Sequence, residues 1–381
     1  MLMPALPELG VLPAGLSGAA KPKTASSAPS RASGRLVEID PLQYRAWDSV
    51  LSFCPNSSFF QTTAWARVLH DSYGHRPLYF CEFSGDKLEE LLPVMEVSSL
   101  LTGRRGISLP FTDFCFPLNV SSGNHAGLYE QALQRGQSRG WCYLQCRGSN
   151  YGWLSAKPAL AFHAHCVSLR EKEKDLFTNL DSAVRRAVRK AQRAGLQLDF
   201  STSRDSVRAF FVLHCETRRR HGLPPQPFRF FENIHRHVLA QEHGRVVTVR
   251  REGRPIAAAV FFHHGRQAIY KFGASDYAFQ QMRPSNLLIW AAIQRYAAEN
   301  FETLHLGRTS LANQGLRRFK LGFGANEERL DYYKFDFFKR TFVSDTDRSE
   351  SRLNSIFGAF PPALLRLIGK LIYPHLFRKR T

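Results

Sequence analysis

The chain has 381 residues, 44% of them hydrophobic and 22% charged, which is enough apolar sequence to bury the core of one large domain or of two. The formal net charge of +20 predicts a polyanionic partner and leaves nucleic acid, a nucleotide, a pyrophosphoryl lipid and an anionic membrane open. Seven scattered cysteines without a CxxC pair argue against a disulfide framework or a zinc site, and they favour a reducing cytoplasm.

The first segment, residues 1–35, is rich in Ala, Pro, Ser, Gly and Lys and nearly free of aromatic residues. Such a composition buries too little surface to offset the entropy of ordering, so we predict a disordered tail. The segment lacks the basic region of a signal peptide, and no run in the chain reaches the roughly 20 apolar residues of a spanning helix. We therefore expect neither a signal peptide nor a membrane span.

Strand-like and helix-like segments alternate after this tail and predict an α/β fold. In the first half, a helix from about Gln61 precedes a hairpin over 79–97 that turns at Gly85. A helix over 128–135 then leads into a strand over 141–147.

The second half repeats this order. A helix from about Asp205 precedes a hairpin over 246–262, and a helix over 287–299 leads into a strand over 301–308. Duplication of one module explains the repeat, although the regular alternation of strands and helices in α/β folds can also produce it. We predict two tandem domains with mixed central sheets, flanking helices and a cleft between them. The predicted boundaries are a tail over 1–35, domains over 36–167 and 168–345, and a C-terminal segment over 346–381.

A helix over 183–194 is predicted to carry five cations on one face and mainly Ala and Val on the other. Like charges at this spacing repel each other unless an anion meets them. The face is therefore a candidate contact for phosphate or another polyanion, and a solvated basic surface is the alternative. The five cations are Arg185, Arg186, Arg189, Lys190 and Arg193.

Two further candidate anion sites lie in the second half. Pro284 is placed to open a helix whose N-terminus, with Ser285 and Asn286, can bind an anion. Downstream, glycines lie beside Arg318 and Lys320, which predicts a loop that approaches a phosphate or carboxylate closely. A plain surface turn is the alternative for this loop.

Short motifs in a fixed order over about residues 36–340 resemble the FemAB-related branch of the GNAT-fold N-acyltransferases. The motifs are Phe59-Phe60-Gln61-Thr62-Thr63-Ala64-Trp65, Ser108-Leu109-Pro110-Phe111-Thr112-Asp113-Phe114, the stretch 179–190, Tyr270-Lys271-Phe272-Gly273-Ala274-Ser275, Pro284-Ser285-Asn286, Gly307-Arg308, and Arg318-Phe319-Lys320 with Phe323-Gly324.

The resemblance implies two GNAT-like domains and transfer of an acyl group to an amine of a cell-envelope precursor, in peptidoglycan or exopolysaccharide assembly. The implied donor is acyl-CoA or aminoacyl-tRNA, with no metal. Lys320 would lie near the transfer centre, and Arg308 would face the cleft. The chain departs from the family pattern in lacking a long coiled-coil arm for tRNA. The loop over 281–286 also lacks the Arg/Gln-x-x-Gly-x-Gly/Ala signature that cradles the pyrophosphate of CoA.

Transfer from an activated ester or thioester needs positioning, oxyanion stabilisation and one general base. Asp113, in a loop marked by the resemblance, is a candidate base, and Tyr270 is a candidate acid toward the leaving group. His305 and Asp276 are further candidate bases, with packing in a strand and turn formation as their alternatives.

The segment 351–380 combines apolar and basic residues without Asp or Glu, which predicts an amphipathic helix on an anionic membrane surface. Docking on the protein's own core is the alternative. We expect a cytoplasmic protein with peripheral contact to the inner membrane face. Two other functions stay open, a non-catalytic RNA- or polyanion-binding protein and an inactive GNAT-like scaffold in envelope polysaccharide assembly, although the aromatic array of RNA-recognition modules is not visible.

Overall fold

The computed structural model describes residues 34–99, 101–120, 126–148, 156–345 and 357–375. Residues 1–33 of the predicted tail lie outside these ranges, as do 346–356 and 376–381 of the predicted C-terminal segment. The described residues belong to one compact unit that begins at Gly34. Within these ranges, no helix is both long enough and apolar enough to cross a membrane. All seven cysteines are free thiols.

Helices and strands alternate along the chain. The α-helices are α1 (Trp47–Ser52), α2 (Thr63–Tyr73), α3 (Ala126–Ser138), α4 (Glu173–Thr178), α5 (Ser182–Arg193), α6 (Arg204–Arg220), α7 (Phe228–His237), α8 (Pro284–Ala298), α9 (Gln314–Leu321) and α10 (Pro362–Ile372). Short 3-10 helices span Phe59–Gln61, Leu239–Gln241, Tyr277–Met282 and Tyr373–His375.

The strands are β1 (Arg35–Ile39), β2 (Arg76–Ser84), β3 (Lys87–Ser99), β4 (Gly103–Ile107), β5 (Leu118–Asn119), β6 (Trp141–Arg147), β7 (Leu160–Ser168), β8 (Gln197–Ser201), β9 (Gly244–Arg251), β10 (Arg254–His264), β11 (Gln267–Ser275), β12 (Thr303–Ser310), β13 (Asn326–Asp336) and β14 (Thr341–Phe342).

The two halves repeat one arrangement of strands. In the first half, β1 to β4 are antiparallel neighbours in chain order, and β6 returns parallel to β4 after α3. In the second half, β8 to β11 are antiparallel neighbours in the same way, and β12 returns parallel to β11 after α8. The repeat expected from the two hairpins is therefore present in the fold.

In each half, the next strand along the chain pairs with a strand of the other half. The strand after β6, β7, pairs with β12, and the strand after β12, β13, pairs with β6. Because β7 and β13 also pair with each other, the halves join in one sheet of order β1-β2-β3-β4-β6-β13-β7-β12-β11-β10-β9-β8. The domain boundary between residues 167 and 168 stays a prediction.

An aromatic core also crosses from one half to the other. The ring of Trp65 on α2 lies 6.1 Å from that of Phe230 on α7 and 5.7 Å from that of Phe262 on β10. Phe59 lies 4.6 Å from Phe262, and all four side chains are buried. Pairs of this kind stabilise a core beyond the area they bury, so the halves support each other.

One predicted loop is a helix. The glycine-rich stretch with Arg318 and Lys320 was expected to be a loop, but Gln314–Leu321 forms α9. The side chain of Asn313 accepts from the backbone N–H of Leu316 at 2.9 Å and caps the helix. The glycines do not prevent this capped helix from forming, because they lie near its ends.

Candidate active site

The loop between β4 and β5 carries Asp113 and is held in a strained backbone conformation. Leu109 and Phe111 adopt φ angles of 54° and 59°, and a left-handed backbone costs a non-glycine residue about 1–2 kcal/mol. The buried guanidinium of Arg147 donates to the carbonyl oxygens of Leu109 and Thr112, at 3.4 and 3.1 Å. Strained residues persist where the surroundings impose their conformation, often at functional sites. The loop therefore holds Asp113 in a fixed position.

Asp113 of the first half forms an ion pair with Lys271 of the second half. Lys271 Nζ lies 3.0 Å from Asp113 Oδ2, and the two side chains are 6% and 18% exposed. Lys271 is the extra residue of a β-bulge, because Val260 lies opposite Phe272 while the next residue of β10 lies opposite Tyr270. Bulges re-aim side chains, and this one accompanies a lysine directed at the loop of the first half.

Each member of this ion pair stabilises the charged form of the other. Burial lowers the pKa of Lys271, and the carboxylate of Asp113 opposes that effect. Burial alone would raise the pKa of Asp113, but the charges of Lys271 and Arg308 outweigh it and lower the pKa below its usual value. Asp113 is therefore a carboxylate at neutral pH, better suited to holding a cation than to removing a proton.

Lys320 on α9 belongs to the same charged cluster and lies against β12. Its ammonium donates to the carbonyl oxygens of Gly307 and Arg308, at 3.0 and 2.9 Å, and its side chain is buried. Burial lowers the pKa of Lys320 to about 8, although the charge of Asp113 opposes the shift. An ammonium has three N–H donors, so these two bonds leave one for a bound molecule.

Gly307 allows β12 to approach the loop closely. Its φ of 73° is accessible to glycine, and an added Cβ would lie 3.3 Å from Asp113 Oδ2. Its backbone carbonyl also accepts from Lys320. Any larger residue at position 307 would therefore disturb the loop and the strand together.

Arg308 lies at the exposed edge of this cluster. Its guanidinium carbon is 4.2 Å from the ring centre of Phe162 and 5.3 Å from that of Tyr332. It also bonds to the hydroxyl of Tyr332, which in turn donates to the backbone carbonyl of Asp113. Stacking on two rings fixes the plane of the guanidinium, so Arg308 presents a preoriented cation to solvent.

Three of the predicted catalytic residues, Asp113, Arg308 and Lys320, thus lie around one point where the halves meet. The fourth, Tyr270, packs against Phe261 with ring centres 5.4 Å apart, and burial raises its pKa to about 12. Its role as an acid stays a prediction. Lys271 was not singled out, because within a strand of aromatic residues nothing in the pattern reveals a bulge.

The two further candidate bases have structural partners. His305 packs against Phe114 with ring centres 5.0 Å apart, and burial lowers its pKa to about 4. The side chain of Asp276 accepts from the backbone N–H of Ala278 and from Arg254, at 3.0 and 2.7 Å. These contacts favour the packing and turn-forming alternatives for both residues.

The predicted basic helix is α5, and it is amphipathic as expected. Val184, Val188 and Ala191 are buried, while Arg186, Arg189, Lys190 and Arg193 are exposed. Arg185 is half-buried and donates to the carbonyl oxygen of Thr178 at 2.6 Å. The helix meets the site at one end, since the backbone N–H of Asp181 donates to the carbonyl of Gly322 just after α9. Phosphate binding by the five cations stays a prediction.

A second polar cluster lies beside α9. The carboxylate of Glu327 accepts two bonds from Arg317, both at 2.7 Å, and lies 3.0 Å from Nε2 of His165 and 3.3 Å from Nδ1 of His163. Because 162 residues separate His165 from Glu327, no local motif could have revealed this contact. The cluster attaches the helix that carries Lys320 to β7 and β13. Among the described residues, no group of three or more His, Cys, Asp or Glu is arranged to hold a metal.

The comparison with protein families concerns the half of the chain that contains Lys271, Arg308 and Lys320. Residues 179–334 match the family model described as an acetyltransferase (GNAT) domain. This segment is a GNAT acetyltransferase domain. No curated protein matches the chain.

The GNAT fold extends over both halves, as three solved structures show. FemX is 13% identical, with a TM-score of 0.62, and the alignment covers 78% of this chain and 96% of FemX. L-PGS from Bacillus licheniformis is 11% identical, with a TM-score of 0.52 and coverage of 90% and 98%. A tandem GNAT protein from the clavulanic acid biosynthesis pathway is 10% identical, with a TM-score of 0.50 and coverage of 80% and 98%.

These findings confirm the predicted fold class, two tandem GNAT-like domains. They confirm the resemblance to the FemAB-related branch at the level of the fold, and the enzyme class, an acyltransferase, through the GNAT domain. A GNAT domain implies an acyl-CoA donor in general.

The helix N-terminus expected to receive the donor's phosphates fits a pyrophosphate poorly. Pro284 has no N–H, and the N–H group of Asn286 donates to the carbonyl oxygen of Arg283 at 3.1 Å. A cradle for an anion needs several unpaired backbone N–H groups at the start of the helix. Anion binding by Ser285 and Asn286 stays a prediction. The nearby candidate Arg318 lies on the exposed side of α9, where its side chain bonds to the carbonyl oxygen of Gln314.

Proposed function

We propose that the protein transfers an acyl or aminoacyl group from an activated donor to an amine of a cell-envelope precursor, in peptidoglycan or exopolysaccharide assembly. One observation carries the proposal. Lys320 and Arg308 of the GNAT domain bring two cations to the carboxylate of Asp113, which belongs to the other half of the chain. An anion that forms during acyl transfer and the amine that attacks can both find a charged partner there.

In the proposed reaction, the amine nitrogen of the acceptor attacks the acyl carbon of the donor. A bond forms between nitrogen and carbon, the ester or thioester bond of the donor breaks, and the amine proton passes to the leaving group. Arg308 and the third N–H of Lys320 stabilise the oxyanion, which is commonly the largest contribution in acyl transfer. Asp113 orients the neutral acceptor amine, because its carboxylate accepts a hydrogen bond from one amine N–H.

For the donor, we favour aminoacyl-tRNA over acyl-CoA, because Pro284 and the bonded N–H of Asn286 leave few backbone donors for a pyrophosphate at the N-terminus of α8. The exposed cations of α5 then contact tRNA phosphates, together with Arg318 of α9. The location that fits a lipid-linked acceptor is the cytoplasmic side of the inner membrane, with the segment 351–380 in peripheral contact.

The test measures transfer by the purified full-length protein from acetyl-CoA and from charged tRNA to amine-bearing peptidoglycan and exopolysaccharide precursors. We expect product from at least one donor. We expect Lys320→Ala to lower the rate by about a hundredfold or more, as is typical for losing one oxyanion-stabilising donor. Lys339→Ala is the matched control, since Lys339 is an exposed cation outside the site.

Two results would overturn the proposal. One is the absence of transfer from both donors, which would favour an inactive scaffold or a polyanion-binding protein. The other is an equal rate for Lys320→Ala and Lys339→Ala, because the reaction would then take place elsewhere.

A further inference from the structure

The C-terminal helix α10 is attached to the protein along one side. Leu365 and Gly369 are buried on that side, and an added Cβ on Gly369 would lie 2.0 Å from the carbonyl oxygen of Pro225. Beyond the helix, the hydroxyl of Tyr373 donates to the carbonyl of Pro224 at 3.2 Å. On this side, α10 therefore packs against the rest of the protein, which is the alternative that the sequence left open.

A different side of α10 is apolar and exposed. Leu364, Leu367 and Leu371 are 40%, 53% and 61% exposed. Their spacing of three and four residues places them in one row along the helix. An amphipathic surface helix would carry polar residues on its outer side, so a continuous apolar row there indicates a binding surface.

Cations flank this row. Arg366 and Lys370 are exposed on α10, and the described part of its segment, 357–375, contains no Asp or Glu. Both residues line a depression of about 510 Å³ between α6, α7 and α10, together with Arg208 of α6 and mainly apolar side chains. Arg208 also lies 3.2 Å from Asp205, whose side chain is 89% exposed. An ion pair this exposed contributes little and leaves Arg208 able to bind another anion.

A second depression, of about 770 Å³, continues this surface along α6 to the end of β11. Its cations include Arg219, Arg220 and Arg254, and its acidic residues are Glu216 and Asp276. Asp276 is already paired with Arg254 at 2.7 Å. Over both depressions, six cations face two acidic residues, so the surface has a clear positive excess.

We propose that the α6–α10 face, formed by the apolar row of α10 and the cations of the two depressions, docks on an anionic membrane surface. A helix that lies in a membrane interface buries apolar side chains at the acyl boundary and keeps its cations among the headgroups. The row of leucines has this arrangement, because Arg366 and Lys370 lie beside it, and Val212, 59% exposed on α6, adds apolar surface to the same depression. The net charge of +20 draws the whole protein to the same surface.

An apolar helix face is also commonly covered by a second copy of the chain, but the charges of α10 argue against such a dimer. A symmetric dimer through α10 would bring Arg366 and Lys370 of both copies together, with no acidic residue in 357–375 to compensate them. An anionic bilayer instead neutralises these charges while it covers the leucines.

This inference extends the proposed peripheral contact of 351–380 to α6. It rests on the proposed function only in one respect, that the membrane is the one carrying the lipid-linked acceptor. The second depression includes Ser275, the last residue of the strand that carries Lys271, and Asp276 after it. A lipid-linked acceptor held at the bilayer would therefore approach the protein beside β11.

The experiment measures co-sedimentation of the full-length protein with vesicles of mixed phosphatidylglycerol and phosphatidylcholine, and with vesicles of phosphatidylcholine alone. We expect binding to the mixed vesicles that weakens with salt. The double substitution Arg366→Glu with Lys370→Glu should lower the partition coefficient at least about thirtyfold, since each Lys or Arg near an anionic surface contributes about a fivefold factor. Leu367→Asn with Leu371→Asn should lower it as well, because the apolar row is lost.

The control is Arg76→Glu with Lys339→Glu, which changes the net charge by the same amount at two exposed positions outside the α6–α10 face. Because surface electrostatics decay within about 10 Å, this pair should leave the partition coefficient nearly unchanged. Equal losses in the control and in the α10 variants would overturn the proposal, and so would absence of vesicle binding or a dimer that Leu367→Asn with Leu371→Asn dissociates. Melting curves verify that each variant is folded. Transfer to a soluble acceptor separates the two proposals, because a variant that only loses docking keeps this activity.

Discussion

Lys271 and Asp113 form an ion pair across the seam between the two halves, with 3.0 Å between Nζ and Oδ2. Lys271 owes its position to a β-bulge of the GNAT domain, and Asp113 owes its position to a strained loop of the other half. The ion pair therefore reports whether both halves are correctly assembled, and it lies directly beside Arg308 and Lys320.

Breaking this ion pair should destabilise the protein more than breaking a surface pair. Asp113→Asn leaves the ammonium of Lys271 buried without its counter-ion, which costs about 3–5 kcal/mol of unfolding free energy. In Asp113→Asn with Lys271→Met, neither member of the pair is charged, and much of the loss should be recovered. Urea denaturation of the single and double variants measures the coupling energy.

The control for this cycle is the exposed pair Arg170 and Glu302, whose nitrogen and oxygen are 2.5 Å apart and whose side chains are 70% and 28% exposed. Arg170→Gln should cost less than about 1 kcal/mol. A coupling energy between Asp113 and Lys271 as small as this would contradict the interpretation of a buried, functional pair.

Gly307→Ala should affect the site through crowding as well as through backbone strain. At a φ of 73°, alanine costs about 1 kcal/mol, and its Cβ would lie 3.3 Å from Asp113 Oδ2. Gly253→Ala is the matched control, because Gly253 has a φ of 79° with no atom within 4 Å of an added Cβ. Both variants should unfold at lowered denaturant concentrations, Gly307→Ala at the lower of the two, but only Gly307→Ala should lose transfer activity. Full activity in Gly307→Ala would show that Asp113 does not need its present position.

The sequence predicted the repeat because hairpins and helix boundaries are local features. The turn of one hairpin at Gly85, and the helix start at Pro284, follow from the conformations that glycine and proline allow. The joining of the halves could not be predicted in this way, because the pairing of β7 with β12 and of β13 with β6 connects residues far apart in the chain.

The same distinction applies to the site. Asp113, Arg308 and Lys320 were found through motifs of the resemblance, in which each residue lies within a short recognisable stretch. Lys271 was missed because the alternation expected of a strand does not reveal a bulge. Glu327 was missed because its partner His165 lies far away in the sequence, on the strand that pairs with β13 only in the folded protein. Residue pairs made by tertiary contacts leave no periodic signal in a single sequence.

The protonation of Lys320 should set an alkaline limit on transfer. Its pKa is lowered from 10.5 to about 8, so the charged form is lost as the pH rises through about 8. The acceptor amine also loses its proton as the pH rises, so the informative quantity is the ratio of the wild-type rate to the Lys320→Ala rate. This ratio should be about 100 or more below pH 8 and fall toward 1 above it. In Lys320→Arg, whose guanidinium stays charged, residual activity should show no such limit; a ratio that does not change with pH would exclude a charged Lys320 from the reaction.

Glu327 should make the placement of α9 sensitive to acid. Hydrogen bonds from Arg317 lower the pKa of Glu327 to about 2, so its contribution to stability is complete above its unfolded pKa near 4.5 and is lost as the pH falls toward about 2. Glu327→Gln removes the charge that Arg317 and His165 contact, which should cost about 1–3 kcal/mol and lower transfer by loosening the helix that carries Lys320. The unfolding free energy of the wild type should therefore decrease between about pH 4.5 and 2 more than that of Glu327→Gln. Glu328→Gln, at the exposed neighbouring position, should keep both the acid dependence and the activity, and an equal effect of the two substitutions would mean that Glu327 does not attach α9.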